Sequence, residues 1–178
     1  MWQPTEEQIN NSQMMDYMQL VNQKFGLSLK KYSQLYDWSI EKAEDFWGSF
    51  WEYSQIIHHS PYSQVVDDLG KMPGAKWFDG ATLNFAENLL RYRDDKVAIL
   101  FQGEDGTQSS LTYKELHDQV SRLAHSMREM GIVKNDRVAG FMPNIPETII
   151  TMLATASIGA IWSSCSPDFG INGVLDRF

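Results

Sequence analysis

The sequence predicts an α/β fold, and this prediction rests on a change of pattern near the middle of the chain. Residues 1–93 are rich in aromatic side chains and show the apolar spacing of helices. Residues 94–178 instead alternate short β-type runs with helical stretches. We therefore expect a helical N-terminal cap over 1–93 and the first, truncated part of a larger α/β domain over 94–178.

The N-terminal cap is expected to contain two main helices joined by irregular segments. Thr5 is a suitable cap for the first helix, in which the apolar residues at helical spacing are Met14, Met18, Val21 and Phe25. The second helix is predicted from Ser39 to about His59, and Pro61 stops it. Its broad apolar face consists of Ala43, Phe46, Trp47, Phe50, Trp51, Ser54 and Ile57. An aromatic face of this kind indicates core packing more often than a partner surface.

A β-hairpin and a long helix open the second half. Val97–Phe101 is a β-type run, a Gly-rich turn follows, and Gln108–Leu111 returns as the second strand. The helix is predicted to start at Thr112, which forms a capping box with Glu115. Gly131 suits the position just after the helix.

A strand–helix–strand unit follows the long helix. Arg137–Met142 is predicted as a strand, and Asn144 as the cap of an apolar, buried helix that Gly159 ends. Ala160–Ser163 is predicted as the next strand, so the unit implies parallel pairing. Residues 172–178 begin another helical pattern. We expect the chain to be a fragment, because so small a sheet leaves an edge uncovered.

Charge and composition exclude several classes of protein. The net charge of −8 argues against binding to nucleic acid or to an anionic membrane, and the apolar content of 43% indicates a globular fold. The N-terminus has no signal-peptide pattern, and no apolar run approaches the roughly 20 residues that span a bilayer. The only cysteine is Cys165, so no intrachain disulfide can form. These features predict a cytoplasmic protein.

Three segments carry a resemblance to a known enzyme family. Residues 158–178, which contain the run WSSCSPDFG at 162–170, are similar to the signature of acetoacetyl-CoA synthetases. Residues 77–90 resemble the segment that leads into the large domain of acetyl- and acetoacetyl-CoA synthetases, and the helix at 38–53 looks like their N-terminal cap. Because the resemblance covers almost the whole chain in the expected order, the chain is identified as a member of the AMP-forming acyl-CoA synthetase, or adenylate-forming, family.

The resemblance implies a fold, an activity and a set of partners. The hairpin and the βαβ unit would be the beginning of an adenylate-forming large domain. The full enzyme would use ATP and Mg²⁺ to convert acetoacetate to an acyl-adenylate and would then transfer the acyl group to CoA. Its partners would be acetoacetate, ATP, CoA and the remainder of its own polypeptide, with no nucleic acid and no membrane. A sibling ligase for another short acyl or 3-oxo acid, and a non-catalytic binding or dimerisation module, stay open as alternatives.

The residues that perform this chemistry are not found in the sequence. It contains no Gly-rich phosphate-binding loop and no GxGxxG. The resemblance places the adenine-binding, ribose-binding and catalytic-lysine motifs further along the polypeptide, so no catalytic residue is assigned in this chain. We expect the fragment alone to be inactive, to hold no metal site and to bind neither ATP nor CoA tightly.

The best site candidate is the segment at the end of the last predicted strand. By resemblance, the loop after this strand borders the acyl and pantetheine pockets of related synthetases. Ligands in such folds also gather at the carboxyl ends of parallel strands. The alternative is that the serines simply cap and turn the strand-to-helix junction. The candidate pocket residues are Trp162, Ser163, Ser164, Cys165, Ser166, Pro167 and Asp168.

Other chemically capable side chains favour a structural role. Cys165 has no neighbouring histidine to activate its thiol, so inert packing is the better interpretation. His58 and His59 are adjacent, point to different faces and make a poor metal pair. His117 and His125 lie about two helical turns apart, which is too far for one ion.

Overall fold

The computed structural model describes residues 2–178 and has two units, the first ending at Thr82 and the second beginning at Leu83. The first unit is mainly helical and the second mixes helices with strands, which confirms the predicted α/β class. The domain division predicted after residue 93 lies within the second unit and stays a prediction about the whole enzyme.

Four helices make up most of the first unit: α1 (Glu6–Asn10), α2 (Gln13–Phe25), α3 (Tyr32–Glu41) and α4 (Ala43–Tyr53). Thr5 caps α1 with a complete capping box, as predicted, but the helix that it starts is short. Ser12 starts the next helix by accepting a hydrogen bond from the Met15 N–H at 3.2 Å. Gly26 ends α2 in the left-handed region, with a φ of 67°.

The single helix predicted from Ser39 to about His59 is wrong. Lys42, with φ −122° and ψ 50°, ends α3 and precedes α4, so the region is two helices. The apolar spacing continues across this break, which is why periodicity alone does not detect it. α4 then ends at Tyr53, and the positive φ of Gln55, 50°, turns the chain out of the helix.

A short antiparallel hairpin completes the first unit. β1 (Gln64–Val66) pairs with β2 (Trp77–Asp79). The Asp67 carboxylate organises the connecting loop, because it accepts hydrogen bonds from the Lys71 ammonium at 2.7 Å and from the Lys76 N–H at 2.7 Å. These bonds lower the pKa of the Asp67 carboxyl to about 2.

The core of the first unit is formed by side chains of α2, α3 and α4. Its most buried members are Tyr17, Met18, Val21 and Leu35. The Tyr17 ring meets the Phe46 ring edge-on, with centroids 5.9 Å apart. The predicted aromatic face of α4 is only partly covered, since Trp47 and Phe50 stay 41% and 39% exposed. The face therefore has one edge in the core of this unit and another that is solvent-exposed.

The second unit contains the predicted hairpin and βαβ unit. In chain order its elements are α5 (Phe85–Leu89), β3 (Val97–Gln102), β4 (Gln108–Thr112), α6 (Tyr113–Glu129), β5 (Arg137–Phe141), α7 (Pro146–Ser157), β6 (Ile161–Cys165), a 3₁₀ turn (Pro167–Phe169) and α8 (Gly170–Arg177). β3 pairs with β4 in antiparallel orientation, and β5 pairs with β6 in parallel orientation. Both predicted pairings are therefore confirmed.

The start of α6 follows the predicted capping box. The Thr112 hydroxyl accepts a hydrogen bond from the Glu115 N–H at 3.2 Å. In return the Glu115 carboxylate accepts hydrogen bonds from the Thr112 N–H at 2.8 Å and from its hydroxyl at 2.9 Å. These two bonds lower the pKa of the Glu115 carboxyl below its ordinary value. Gly131 follows the helix with a φ of 86°, as its predicted role requires.

The predicted cap of α7 is wrong by one residue. Pro146 is the first residue of α7, and a proline holds the preceding residue in the extended region. Ile145 has that conformation, with φ −122° and ψ 162°, and occupies the cap position without a side-chain hydrogen bond. The prediction for β6 is also too short, because the strand continues past Ser163 to Cys165.

The core of the second unit is formed mainly by α5, α6 and α7. Its buried members are Ala86, Leu90, Leu116, Val120, Ala124, Met127, Ile150, Leu153 and Ala154. Val138 of β5 packs against this cluster, which joins the βαβ sheet to the helices. The burial predicted for α7 is confirmed. Across residues 2–178, no helix has the length and apolar character needed to cross a membrane.

Candidate substrate pocket

The parallel pair of β5 and β6 brings two segments of the chain to one edge of a sheet. Arg137 pairs with Ile161 and Phe141 pairs with Cys165, so the two strands end opposite each other at the same edge of the sheet. The Met142 N–H donates to the Cys165 carbonyl at 3.3 Å, which extends the pairing beyond β5. Ligands of α/β folds bind outside the carboxyl ends of such strands. This edge is therefore where a substrate pocket is expected.

A pocket of about 330 Å³ lies at this edge. This open pocket is bordered by the segment after β5, the end of β6 and the segment that includes α8. Its lining residues are Met142, Pro143, Asn144, Thr148, Ser164, Cys165, Ser166, Phe169 and Arg177. This volume is within the range of pockets that hold small molecules.

The wall of the pocket combines polar and apolar side chains. It offers one amide, three hydroxyl groups and one guanidinium beside apolar side chains. Among the lining residues that the structure describes, none is His, Lys, Asp or Glu. General acid–base catalysis depends most often on those residue types, so the arrangement can orient a ligand but has no evident proton donor or acceptor of that kind.

Hydrogen bonds hold the two turns that border the pocket. The Thr148 hydroxyl donates to the Pro143 carbonyl at 2.7 Å and fixes the turn before α7. The Ser166 hydroxyl accepts from the Asp168 N–H at 3.3 Å and donates to the Asp168 carboxylate at 2.9 Å. The turn after β6 is therefore stabilised by a polar side chain.

Arg177 supplies the positive charge of the pocket. Its guanidinium carbon lies 5.4 Å from the centroid of the Phe169 ring, within the range of a cation–π contact. No ion pair engages this guanidinium among residues 2–178. The charge is therefore available to an anionic group of a ligand.

The structure brings three of the seven predicted residues to the pocket wall, which are Ser164, Cys165 and Ser166. The other four lie outside the wall. Trp162 and Ser163 are half-buried within β6, and Pro167 and Asp168 are exposed in the 3₁₀ turn. The alternative role in capping the turn holds for Ser166 alone, because Ser163 and Ser164 are strand residues. That the segment binds a ligand stays a prediction.

The sequence did not predict that the segment after β5 forms part of the pocket wall. Asn144 is predicted there only as a helix cap, yet it lines the pocket together with Met142 and Pro143. Parallel pairing could have found these residues, because the segments that follow two paired parallel strands leave the same edge. Phe169 and Arg177 have no such signal, since their approach depends on the path of the 3₁₀ turn and α8.

The histidines and carboxylates lie elsewhere. His58 Nδ1 is 3.0 Å from the Ile56 carbonyl oxygen, and His125 Nε2 is 3.3 Å from the Glu129 carboxylate. In the part of the chain that the structure describes, no group of three His, Cys, Asp or Glu side chains could hold a metal ion.

Two family models match the chain. The model described as AMP-binding enzyme matches residues 85–175. The model described as acetyl-coenzyme A synthetase N-terminus matches residues 32–89. The first match spans most of the second unit and includes nearly all of the pocket, and the second lies mostly in the helical first unit.

The chain is also similar along its whole length to curated proteins. It is 47% identical over 178 residues to the acetoacetyl-coenzyme A synthetase of Rhizobium meliloti (strain 1021), and 45% identical over 181 residues to the acetoacetyl-CoA synthetase of Macaca fascicularis. Both alignments cover 100% of this chain and 27% of the relative. The chain is 42% identical over 174 residues to the malonamoyl-CoA synthetase of Penicillium aethiopicum, with coverage of 94% and 24%.

A solved structure has the same fold over nearly the whole chain. It is the acetoacetyl-CoA synthetase from Streptomyces lividans, which matches with a TM-score of 0.90 at 39% sequence identity. The match covers 99% of this chain and 28% of that protein. This chain therefore spans little more than a quarter of the length of the synthetases that it resembles.

Proposed function

We propose that this chain, which belongs to the AMP-binding enzyme family, is the N-terminal part of an acetoacetate–CoA ligase. In the whole enzyme a carboxylate oxygen of acetoacetate attacks the α-phosphorus of ATP and releases pyrophosphate, which gives an acyl-adenylate. The thiol of CoA then attacks the acyl carbon and releases AMP. The observation that most supports this proposal is the 47% identity, over the entire chain, to an acetoacetyl-CoA synthetase.

We further propose that the pocket at the carboxyl ends of β5 and β6 receives the pantetheine arm of CoA. That arm alternates amide and hydroxyl groups with apolar segments, so its binding needs both kinds of contact. Asn144 and Ser164 supply hydrogen-bonding groups, and Met142 and Phe169 supply apolar surface. Arg177, which lines the same pocket, supplies a positive charge that would pair with a phosphate group of CoA.

This chain contributes binding surface, and the rest of the polypeptide contributes the reactive groups. Adenylation requires positive charge placed against the phosphates as negative charge develops. Magnesium bound with ATP supplies part of that charge in the whole enzyme. Since this chain spans 27% of its relative and contains no Gly-rich phosphate-binding loop, we propose that the phosphate, magnesium and catalytic-lysine sites lie in the rest of the polypeptide. ATP, Mg²⁺ and CoA are thus ligands of the whole enzyme, and the isolated chain is expected to be inactive.

A second candidate is a sibling ligase for a different acid with a carbonyl group at the same distance from its carboxylate. The 42% identity to a malonamoyl-CoA synthetase supports this alternative. Malonamate differs from acetoacetate in having an amino group in place of the terminal methyl. The two acids therefore differ in a group that donates hydrogen bonds, which an acid-binding pocket can use to discriminate between them.

The test is acid-dependent exchange of pyrophosphate into ATP, measured on this chain and on the product of its full reading frame. Acetoacetate is compared with malonamate, acetate and butyrate. We expect exchange by the longer product alone, fastest with acetoacetate. Faster exchange with malonamate would establish the sibling ligase instead.

Two other outcomes contradict the proposal. No exchange by the longer product with any of the four acids would favour a non-catalytic binding or dimerisation module. Exchange by the short chain would show that the phosphate site lies within residues 1–178.

We also propose a cytoplasmic location. Cys165 is the only cysteine of the chain, and its thiol is free and buried. This chain therefore forms no internal disulfide, which is typical of proteins in a reducing compartment. Cell fractionation with an antibody against this chain tests the location.

A further inference from the structure

Gly140 and Trp162 meet across the parallel pair, just before the strands reach the pocket. A β-carbon at position 140 would lie 2.8 Å from Trp162 Cζ2 and closer still to Cη2. It would also lie 3.4 Å from the sulfur of Met142, a residue of the pocket wall. The far edge of the indole and the Met142 sulfur therefore approach the same point above Gly140.

The register explains how the indole comes to lie there. Trp162 pairs with Val138, and Gly140 pairs with Ser164, one pleat nearer the pocket. Side chains two residues apart share a face of a strand, so Val138 and Gly140 are on the same face as Trp162. The Trp162 indole therefore extends diagonally across the strand pair, from its place opposite Val138 to a position over Gly140. A large aromatic side chain is long enough to reach such a diagonal neighbour.

We propose that Gly140 is a positioning residue of the pocket: its lack of a side chain admits the Trp162 indole beside Met142 and so sets the inner wall against which the pantetheine arm of CoA lies. This inference rests on the proposed function. It assigns a role to Trp162, which is half-buried in β6 but does not itself line the pocket.

A methyl group at position 140 has no room in the present arrangement. Contacts under 3.0 Å require something to move, and the backbone of β5 is held by its pairing with β6. The indole is a rigid ring, so the movement falls on the whole Trp162 side chain and on Met142 beside it. Adenylation does not use the thiol substrate, so a wall that contacts only the pantetheine arm should leave the adenylation rate unchanged.

The experiment uses the full-length enzyme with the substitution Gly140→Ala. We expect the KM for CoA in the overall reaction to rise about tenfold, while pyrophosphate exchange with saturating acetoacetate stays within about twofold of the parent. The double variant Gly140→Ala/Trp162→Phe should recover most of the loss, because a phenyl ring lacks the Cζ2 and Cη2 atoms of the indole and the alanine methyl fills the space that they leave beside Met142. This coupling identifies the contact itself.

The outcomes separate the inference from the proposed function. A parent enzyme without exchange activity contradicts the ligase proposal and the inference with it. An active parent whose Gly140→Ala variant keeps its KM for CoA overturns the inference alone, as does an equal loss in both reactions that Trp162→Phe does not rescue. If Gly140→Ala fails to fold, the double variant decides: a folded enzyme with near-parental KM for CoA supports the inference, and any other result overturns it.

Discussion

The side-chain amide of Asn84 donates a hydrogen bond to the backbone carbonyl of Ala156, 72 positions further along the chain, at 3.1 Å. It also lies 3.1 Å from the Ser157 carbonyl, to which it donates as well. The amide oxygen of Asn84 accepts from the Glu87 N–H at 3.1 Å. One side chain therefore caps the start of α5, gives the Ser157 carbonyl at the end of α7 a donor, and adds a further donor to the Ala156 carbonyl, which also accepts from the Gly159 N–H at 3.0 Å.

Replacing Asn84 by alanine is expected to lower the free energy of unfolding by about 1–3 kcal/mol, because the cap of α5 and the donor to the Ser157 carbonyl are both lost. Urea unfolding of this chain measures the change. Asn172→Ala is the control, since Asn172 is exposed on α8 and should change stability by less than about 0.5 kcal/mol. Equal effects of the two substitutions would count against the role of Asn84.

Replacing Tyr17 by phenylalanine is expected to destabilise the first unit by about 1 kcal/mol. The buried Tyr17 hydroxyl donates to the Phe46 carbonyl at 3.0 Å and lies 2.9 Å from the Ser49 hydroxyl. The matched control is Tyr36→Phe, at an exposed position on α3. Thermal unfolding of both variants tests the prediction, and a Tyr36 effect as large as that of Tyr17 would contradict it.

The same tyrosine predicts a pH dependence. Burial raises the pKa of the Tyr17 hydroxyl above its ordinary value of 10.0, which the hydrogen bond with Ser49 only partly opposes. A raised pKa means that the contribution to stability is present below pH 10.0 and is lost as the pH rises through the higher folded-state value. The free energy of unfolding of the parent should therefore be lower at strongly alkaline pH than at neutral pH. The difference in free energy of unfolding between the parent and Tyr17→Phe should shrink over this range.

The capping box of α6 predicts the opposite dependence. The bonds from Thr112 lower the pKa of the Glu115 carboxyl, so its contribution is present above the ordinary value of 4.5 and is lost as the pH falls through the lower folded-state value. The stability difference between the parent and Glu115→Gln should therefore shrink on acidification. Urea unfolding at neutral pH and at several acidic values measures it. Glu104→Gln, in the exposed turn of the β3–β4 hairpin, provides the comparison.

Replacing Thr155 by valine is expected to raise the free energy of unfolding by about 1 kcal/mol. Thr155 is fully buried on α7, and within residues 2–178 its hydroxyl oxygen has no hydrogen-bond partner. Valine keeps the shape and removes the unsatisfied polar group. Thr151→Val is the control, because the Thr151 hydroxyl donates to the Glu147 carbonyl at 2.6 Å. Loss of stability in Thr155→Val would show that the hydroxyl has a stabilising role.

Signals contained within a few residues predicted local structure well. The capping box of Thr112 and Glu115 is read directly from the sequence, because its partners are three positions apart. The parallel pairing of β5 and β6 follows from a strand–helix–strand pattern. The same patterns do not predict a change in backbone conformation at a single residue. Lys42 ends one helix without interrupting the apolar spacing, and Pro146 makes Ile145 the cap of α7.

The pocket was predictable only in part, since its wall combines segments distant in the chain. Ser164 to Ser166 could be predicted from the position of β6 and from family resemblance. The approach of Arg177 to Phe169 depends on how α8 follows the 3₁₀ turn, and the contact of Gly140 with Trp162 depends on the exact register of two strands. A pattern in the sequence does not specify either relationship.

Cys165 is the only thiol of this chain, and it lies in the wall of the pocket, where it can be labelled chemically. Its side chain is only 5% exposed, so an alkylating reagent reaches the sulfur mainly when the end of β6 opens locally. The rate of labelling therefore reports how often that edge opens, and a molecule that fills the pocket should slow it. A residue with no assigned part in the chemistry thus serves as a reporter of occupancy, readable by mass spectrometry without adding a probe.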